Sequence, residues 1–264
     1  MQPLLTVVVP AYNEAHRLPQ TLPQMADYLA AQAYAVEFLV VDDGSTDDTA
    51  AAVERLADRY PFLRVIRNDH RGKGYTVRTG ILAAAGTYVL LCDADHATPI
   101  SEWEKLYHFL QNGADVAIGS REGLGAQRIG EPWYRHVMGR VFNGIVRAVA
   151  LGGIQDTQCG FKAFTHASGQ RLFEAVQLYG ADAPLVQGAA VTAFDVEILF
   201  LARKWGLTIR EAPVVWHYGE GTKVNPVRDT LRNFNDVLRV RWNDMRGKYD
   251  AELKSHDAKS AKKP

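Results

Sequence analysis

The first half of the chain alternates short β-rich runs with segments whose apolar residues recur at helical spacing. This alternation constrains the fold most, because helical crossovers between consecutive strands are typical of parallel sheets. It predicts a single α/β domain with a Rossmann-like, mostly parallel central sheet flanked by helices. The candidate strands are residues 5–9, 36–41, 63–66, 88–92 and 116–118.

Two helices are predicted beside the first strands. The first would bury the apolar face formed by Leu18, Leu22, Met25 and Leu29. The second would begin at about residue 47, with Thr46 as its N-cap. Such crossovers bring the carboxyl ends of parallel strands to one edge, where ligands bind in open α/β sheets.

Composition excludes several classes of protein. The 264 residues are 47% hydrophobic and 23% charged, which suits one large core rather than a disordered or fibrous chain. Lys and Arg total 30, as do Asp and Glu, so bulk charge predicts no nucleic-acid partner. The two cysteines show no metal or disulfide spacing, which favours the reducing cytoplasm. Without a leader or a spanning apolar run, we expect a soluble protein or one peripheral to the cytoplasmic face of a membrane.

The second half predicts further elements of the same domain. They are a loop over residues 122–130, helices over 133–150, 168–175 and 194–205, and strands over 208–211 and 214–217. We expect a catalytic domain over residues 1–225 and an amphipathic helix over 226–249 that packs on the core or a membrane. A disordered basic tail is predicted over 250–264. The apolar stripe of the C-terminal helix comprises Val227, Leu231, Phe234, Leu238 and Trp242.

Two polar loops follow the first two predicted strands and so face the same crevice. Pro10, Tyr12 and Glu14 belong to the first loop, and Asp42 and Asp43 to the second. An aspartate carboxylate accepts hydrogen bonds from the imide N–H of uracil or from ribose hydroxyls. Aspartates after a strand also form turns and cap helices. For either loop alone, nucleoside binding and a purely structural turn are equal alternatives.

A third polar loop, Asp93-Ala94-Asp95, follows the apolar run over residues 88–92. Side chains two apart on extended backbone project to the same side, so both carboxylates can face one cation. Mg²⁺ and Mn²⁺ bind few protein carboxylates and fill their other positions with water and substrate phosphates. The triplet therefore predicts a Mg²⁺ or Mn²⁺ site for a diphosphate ester, where the metal stabilises a departing nucleoside diphosphate.

This combination resembles the family 2 glycosyltransferases with the GT-A fold, across roughly residues 5 to 240. Four downstream blocks resemble the branch of dolichyl-phosphate β-glucosyltransferases and related polyprenyl-phosphate glycosyltransferases. They are Gly119-Ser120-Arg121, the DTQCGFK run at 156–162, Phe194-Asp195-Val196-Glu197 and Gly221-Thr222-Lys223-Val224. The resemblance implies inverting transfer of a sugar, with glucose the leading candidate, from a UDP-sugar to dolichyl or undecaprenyl phosphate.

The resemblance also implies roles for individual donor-side residues. The nucleoside would be held by Pro10, Tyr12, Glu14, Asp42 and Asp43. Ribose, diphosphate and metal would be held by the triplet Asp93, Ala94 and Asp95, with Asp95 as the more direct metal ligand. Lys73 lies in a glycine-rich loop that resembles the nucleotide-side loop of the family.

On the acceptor side, Arg121, Arg135 and Lys223 are the implied phosphate contacts. A guanidinium grips phosphate oxygens bidentately, and an ammonium acts as a point charge. Asp156 and Asp195 are the remaining candidate catalytic carboxylates, and the resemblance favours Asp156 beside the acceptor. The alternatives are that Asp156 caps a turn and that Asp195 begins a helix. Because a phosphate monoester is largely dianionic at neutral pH, Asp156 is expected to position the acceptor rather than to act as a strong base.

Some features leave alternatives open. His96 stands where the glucosyltransferase branch usually has glycine, which weakens the glucose assignment, and a plain surface histidine is its simpler interpretation. Glu197 is a weaker candidate behind the site. Membrane contact would come from the helix over 133–150 and the C-terminal helix, although packing on the core explains both equally well. The rival functions are transfer to a polysaccharide, protein or small molecule, and a non-catalytic nucleotide-sugar-binding adaptor.

Overall fold

The computed structural model describes residues 2–149, 151–188, 193–219 and 226–250. Strands and helices alternate through its first half as predicted. In chain order the elements are β1 (Leu5–Ala11), α1 (Leu18–Ala30), β2 (Val36–Asp42), α2 (Thr49–Ala57), β3 (Leu63–Arg67), α3 (Lys73–Ala83), β4 (Tyr88–Leu91), α4 (Trp103–Gln111), β5 (Val116–Ser120), β6 (Gln127–Ile129), α5 (Trp133–Val149), β7 (Lys162–Thr165), α6 (His166–Ala175), α7 (Phe194–Lys204), β8 (Ile209–Pro213), β9 (Val215–His217) and α8 (Pro226–Met245).

Seven strands form the central sheet, in the order β3-β2-β1-β4-β7-β5-β8. Neighbouring strands are parallel, except that β7 runs antiparallel to both β4 and β5. The five strands predicted for the first half are confirmed, and their ends shift by one or two residues. The carboxyl ends of the parallel strands consequently open at one edge of the sheet.

Helices cover both faces of this sheet, and β1 shows why. All seven of its residues are buried. Successive side chains point to opposite faces, so Val8 joins one core cluster while Val7 and Val9 join the other. The first cluster includes Val77 of α3, and the second includes Leu22 of α1. A strand held from both sides is a rigid base for the loop that follows it.

The predicted apolar face of α1 is confirmed, but the predicted cap of α2 is wrong. Leu18, Leu22, Met25 and Leu29 are all buried. Helix α2 begins at Thr49, whose backbone N–H donates to Asp47 Oδ1 over 3.0 Å. Thr46 instead donates its N–H to Asn13 Oδ1 in the first loop, over 2.9 Å. Thr46 therefore joins the two loops and does not cap α2.

The segment predicted as a loop over 122–130 contains the short strand β6. It pairs in parallel with β9 in a separate two-stranded sheet, so the chain leaves the central sheet after β8. The sequence did not predict β6, because only three residues are involved and the outer two, Gln127 and Ile129, are exposed. This ribbon lies beside the end of β5.

Helix α8 contacts the core through residues other than those of the predicted stripe. Val237 and Val240 are fully buried in the core. Phe234, Leu238 and Trp242 are exposed. The side chains of the other two stripe residues, at 227 and 231, and the tail over 251–264 lie outside the described residues. Within the described chain, no helix has the length and apolarity needed to cross a membrane.

Candidate active site

The loops after β1 and β2 are joined at the edge of the sheet. The backbone N–H of Asn13 donates to Ser45 Oγ over 2.9 Å. Pro10 lies inside buried β1 rather than in the loop, and Glu14 forms an ion pair with Arg17 at 2.9 Å. These ties bring the two nucleoside loops of the sequence prediction together.

Asp43 anchors the glycine-rich loop that precedes α3. Its Oδ1 accepts a hydrogen bond from the N–H of Arg71 over 3.0 Å, and its Oδ2 accepts one from Gly72 over 2.9 Å. The same Oδ2 lies 2.8 Å from Nδ1 of His70. The His70 ring stacks on Tyr12 with centroids 3.9 Å apart. His70, which the sequence analysis did not single out, therefore extends the aromatic surface of the nucleoside side.

Asp42 forms a turn at the same edge. Its Oδ1 accepts hydrogen bonds from the N–H of Ser45, over 3.2 Å, and from the Ser45 hydroxyl. This is the arrangement of the structural alternative for the second loop. Only one carboxylate oxygen of Asp42 has these partners, so the turn leaves Oδ2 for another donor.

The triplet after β4 faces the start of α3. Lys73 Nζ lies 2.6 Å from Asp93 Oδ1, and Asp95 Oδ1 accepts a hydrogen bond from the N–H of Ala97 over 3.0 Å. Burial raises the pKa of Asp95, and the negative charge of Asp93 raises it further. Burial alone would lower the pKa of Lys73, but the carboxylates of Asp93 and Asp195 outweigh it and raise that pKa. The sequence prediction that positions 73, 93 and 95 share one site is consistent with these contacts.

The chemistry of this donor set fits a hard divalent cation. Within the described chain, no group of three or more His, Cys, Asp or Glu side chains could hold a metal by itself. Asp93 and Asp95 carry negative charges that repel each other, and a divalent cation between them would relieve this repulsion. Mg²⁺ or Mn²⁺ needs more oxygen ligands than these two carboxylates supply, and a substrate diphosphate can provide them. Ala94 fixes the triplet against α1, because its carbonyl accepts a hydrogen bond from the Thr21 hydroxyl over 2.9 Å.

Gly160 is a site residue that the sequence analysis quoted only as part of a block. A Cβ atom at this position would lie 1.9 Å from Asp93 Oδ2, well inside van der Waals contact. The Asp93 carboxylate therefore occupies space that any side chain at position 160 would fill. The signal available in the sequence was the glycine inside the DTQCGFK run, but its neighbour Asp93 is distant along the chain.

Lys162 and Asp195 form a buried pair behind this group. The Lys162 side chain is 1% exposed, and its Nζ lies 2.5 Å from Asp195 Oδ1 and donates to the Cys159 carbonyl. Asp195 does lie at the start of α7, as its structural alternative states, while its carboxylate contributes to the charge around Lys73. Glu197 is engaged elsewhere, because it accepts a hydrogen bond from the Tyr249 hydroxyl over 2.7 Å.

Arg121 and Asp156 form the most complete ion pair of the site. Arg121 Nε lies 2.7 Å from Asp156 Oδ2, and Arg121 Nη2 lies 2.9 Å from Oδ1. The backbone N–H of Arg121 also donates to Oδ2, over 3.0 Å. Although burial alone would raise it, the guanidinium holds the pKa of Asp156 well below its usual range. Asp156 therefore positions Arg121 and is unsuited to act as a base.

The β6–β9 ribbon supports Arg121 from the other side. The Arg121 guanidinium carbon lies 5.4 Å from the ring centroid of Trp216 in β9, a cation–π contact. Arg128 in β6 donates from Nε to the Arg121 carbonyl over 3.0 Å, and it pairs with Glu122 and Glu131 at 2.8 and 2.7 Å. Arg121 Nη1 has no hydrogen-bond partner within the described residues, so the guanidinium keeps one edge for an anion.

A carboxylate from β8 holds the loop that carries Asp156. Glu211 accepts hydrogen bonds from the backbone N–H groups of Gln155 and Asp156, over 3.0 and 3.1 Å. Asn143 of α5 accepts one from the Thr157 hydroxyl over 2.9 Å. Sequence patterns do not predict these hydrogen bonds, because each partner comes from an element distant along the chain.

Three sequence-predicted residues have different outcomes. Arg135 lies in α5, but its side chain is outside the described residues, as is all of Lys223. His96 closes its own turn, because Nε2 accepts a hydrogen bond from the N–H of Ile100 over 2.8 Å. Burial and the neighbouring His217 lower the pKa of His96. The hydrogen bond to Ile100 closes the turn that follows the triplet.

Comparisons with known proteins agree with this geometry. The sequence model of Glycosyl transferase family 2 matches residues 6–173. The chain is 33% identical to a dolichyl-phosphate beta-glucosyltransferase of Dictyostelium discoideum, over 92% of this chain and 75% of the relative. Proteins of the same name from Homo sapiens and Saccharomyces cerevisiae are 33% and 32% identical, over 94% and 93% of this chain and 78% and 76% of their own lengths.

Solved structures share the fold at lower identity. Glucosyl-3-phosphoglycerate synthase from Mycobacterium tuberculosis, in complex with Mn²⁺ and UDP-glucose, aligns with a TM-score of 0.60 at 19% identity, over 89% of this chain and 78% of that one. Mannosyl-3-phosphoglycerate synthase from Rubrobacter xylanophilus aligns with a TM-score of 0.62 at 18% identity, over 93% and 76%. The predicted GT-A fold and the resemblance to dolichyl-phosphate β-glucosyltransferases are confirmed, and the chain belongs to glycosyl transferase family 2.

Proposed function

We propose that this glycosyltransferase transfers glucose from UDP-glucose to a polyprenyl phosphate, such as dolichyl or undecaprenyl phosphate, with inversion at the anomeric carbon. The relatives that carry the name dolichyl-phosphate beta-glucosyltransferase support it, because the alignment covers about three quarters of their length. The observation that carries the proposal is the guanidinium of Arg121, fixed by Asp156 at the sheet edge with Nη1 left for an anion.

The state of Asp156 favours a phosphate acceptor over an alcohol. An alcohol must lose its proton to attack, so its transfer calls for a general base near the acceptor. Asp156 has a depressed pKa and both of its oxygens accept hydrogen bonds from Arg121. A phosphate monoester has a second pKa of about 6, so it arrives largely dianionic and needs a positive partner instead. Arg121 supplies that partner, with Lys223 and Arg135 as the further phosphate contacts we propose.

On the donor side, Asp93 and Asp95 would hold the metal, and Tyr12, Asp42 and Asp43 would hold the nucleoside. When bound, Mg²⁺ or Mn²⁺ supplies positive charge to the diphosphate of the leaving UDP. Lys73 keeps its ammonium beside Asp93, where it adds a second positive charge. Phosphate attack from the face opposite the diphosphate gives inversion. Positive charge on the donor side would stabilise the leaving diphosphate, and Arg121 would position the attacking phosphate.

A polyprenyl phosphate acceptor implies that the reaction takes place at a membrane surface. Both cysteines are free and buried, which suits the reducing cytoplasmic side. We therefore assign the protein to the cytoplasmic face of a membrane, where a soluble nucleotide sugar and a lipid phosphate meet. Trp133 and Tyr134 of α5 are exposed, as are Leu238 and Trp242 of α8, so exposure alone does not distinguish the two segments predicted for membrane contact.

A donor and acceptor screen tests the proposal. UDP-glucose, UDP-galactose, UDP-N-acetylglucosamine and GDP-mannose are each incubated with Mn²⁺ or Mg²⁺ and a short polyprenyl phosphate in detergent, and the lipid product is read by mass. We expect glucosyl transfer that needs both the metal and the phosphate group. Polyprenol without phosphate and 3-phosphoglycerate serve as control acceptors. Turnover with either control equal to that with polyprenyl phosphate contradicts the acceptor assignment.

A further inference from the structure

The outer face of α8 has the composition of a docking surface. Leu238, Trp242 and Met245 are 45%, 56% and 76% exposed, while Val237 and Val240 of the same helix are fully buried. A helix that only covers a core places its large apolar side chains inward. Here one apolar stripe reaches the core and a second, with the tryptophan, faces outward.

Positive charge surrounds the outward stripe. Arg232, Arg239, Arg241 and Arg246 are all exposed. Among the described residues, Arg232 and Arg246 have no acidic partner, and the Arg246 guanidinium lies 5.2 Å from the ring centroid of Trp242. The whole chain carries no net charge, so this patch is a local departure from the average.

Two acidic residues of this helix with described side chains, Asp236 and Asp244, are engaged by the body of the protein. Asp236 Oδ2 accepts a hydrogen bond from the Tyr179 hydroxyl over 2.5 Å, and Asp244 Oδ1 lies 2.5 Å from Lys204 Nζ. The same two acids also form ion pairs with Arg239 and Arg241, each at 3.6 Å. The positive charge of the outer face that has no acidic partner among the described residues therefore comes from Arg232 and Arg246.

A groove of about 1010 Å³ continues this face toward the nucleotide side. Leu238, Trp242 and Met245 line it together with Leu178, Pro184 and Arg71. The backbone N–H of Arg71 is the one that donates to Asp43. A partner seated on α8 would thus lie next to the loop that positions Lys73.

We propose that the outer face of α8 docks the enzyme on an anionic phospholipid bilayer; this inference rests on the proposed function, which needs a lipid acceptor. Exposed apolar residues with a tryptophan enter the interfacial region, and arginines beside them pair with anionic headgroups. A second copy of the chain is a poorer fit, because a twofold interface sets the same surface against itself. Arg232 and Arg246 of both copies would then lie within one interface, and like charges oppose association.

The test is vesicle flotation of the full chain with phosphatidylcholine vesicles and with vesicles that also contain phosphatidylglycerol. We expect binding to the anionic vesicles only, weakened by salt. The double variant Arg232→Gln, Arg246→Gln should lose about 30-fold in partition, because it removes two arginines that would pair with anionic headgroups. Trp242→Ser should weaken binding at low and at high salt.

Trp133→Ser supplies the matched control, because Trp133 is an exposed tryptophan on a different helix. It should bind anionic vesicles nearly as the unmodified chain does. Loss of flotation in Trp133→Ser with none in Trp242→Ser overturns the assignment to α8. So does a dimer seen by light scattering that Trp242→Ser dissociates while vesicle binding is absent.

An assay in detergent separates this inference from the proposed function. The α8 variants should transfer sugar to detergent-solubilised polyprenyl phosphate at the rate of the unmodified chain, because no α8 side chain belongs to the site described above. A chain that floats with vesicles but never transfers sugar refutes the proposed function and leaves the docking surface intact. A chain that transfers sugar in detergent but never floats with anionic vesicles refutes the docking surface alone.

Discussion

The donor side and the acceptor side of the site differ in how their ion pairs are held. The side chains of Lys73 and Asp93 are 37% and 33% exposed, and Asp93 has one short contact to a lysine. Asp156 is 1% exposed and is bound through both oxygens by Arg121. In the proposed function, the donor pair would thus be open to exchange with an incoming cation and diphosphate, whereas the buried Asp156 would keep its contacts to Arg121. One side is built to be replaced in part by its ligand, and the other is organised before the ligand arrives.

The largest expected effect comes from Asp95→Asn on the donor side. Loss of one carboxylate from a two-carboxylate metal site should lower kcat by about 10³-fold, comparable to removing a main electrostatic contact in other active sites. Sugar transfer at several Mn²⁺ concentrations measures it. The thermal unfolding midpoint should stay near that of the unmodified chain, because Asp95 forms no ion pair with any residue that the structure describes. Asp58→Asn, on the exposed end of α2, is the matched control. Full turnover in Asp95→Asn would remove the metal site from the donor side.

Asp156→Asn should instead act on stability. Removing one partner of a buried ion pair costs about 3–5 kcal/mol, because the remaining charge is left without compensation. Arg121 is partly exposed, so the lower end of that range applies.

The pH dependence of this cost has a definite sign. The pKa of Asp156 is depressed in the folded state, so the pair stabilises the fold above the unfolded carboxyl pKa of about 3.9 and the gain is lost as pH falls below it. Urea unfolding of both proteins should therefore show a constant difference from pH 8 to about pH 5 that shrinks at lower pH. A difference that does not change down to pH 3 contradicts the assignment.

Gly160→Ala tests how tightly the donor side is packed. The added Cβ would meet Asp93 Oδ2 at 1.9 Å, so the carboxylate must move. A displacement of about 1 Å in an active site costs on the order of 10²-fold in rate. Binding of UDP in the presence of Mn²⁺, followed by calorimetry, should weaken as well. Gly139→Ala in α5 is the control, since a Cβ there meets no atom within 4 Å. Equal UDP affinity in the two variants would show that Asp93 is not confined.

The difference between the donor side and the acceptor side also explains which parts of the site could be predicted from the sequence. Asp93 and Asp95 follow an apolar strand directly, and parallel strands deliver their carboxyl ends to one edge, so the donor side follows from local patterns. The acceptor side depends on partners far apart in sequence, such as Arg121 with Trp216. The strand β6 has only three residues, so no periodic pattern in the sequence predicts it. The outward stripe of α8 was identified, but periodicity alone does not say which of two apolar faces meets the core.

The smallest expected effect is that of Trp216→Leu, which removes the ring beneath the Arg121 guanidinium. A cation–π contact at a partly exposed site contributes about 0.5–1 kcal/mol, so kcat/KM for the lipid phosphate should fall about two- to fivefold. Asp156 still holds the guanidinium by two hydrogen bonds, and this limits the loss. Trp216→Phe should recover most of the activity, and UDP affinity should be unchanged in both variants. Tyr218→Phe, next to the same ring, is the control. If Trp216→Leu weakens UDP binding as much as acceptor turnover, the ribbon supports the donor side too, and the two halves of the site are not independent.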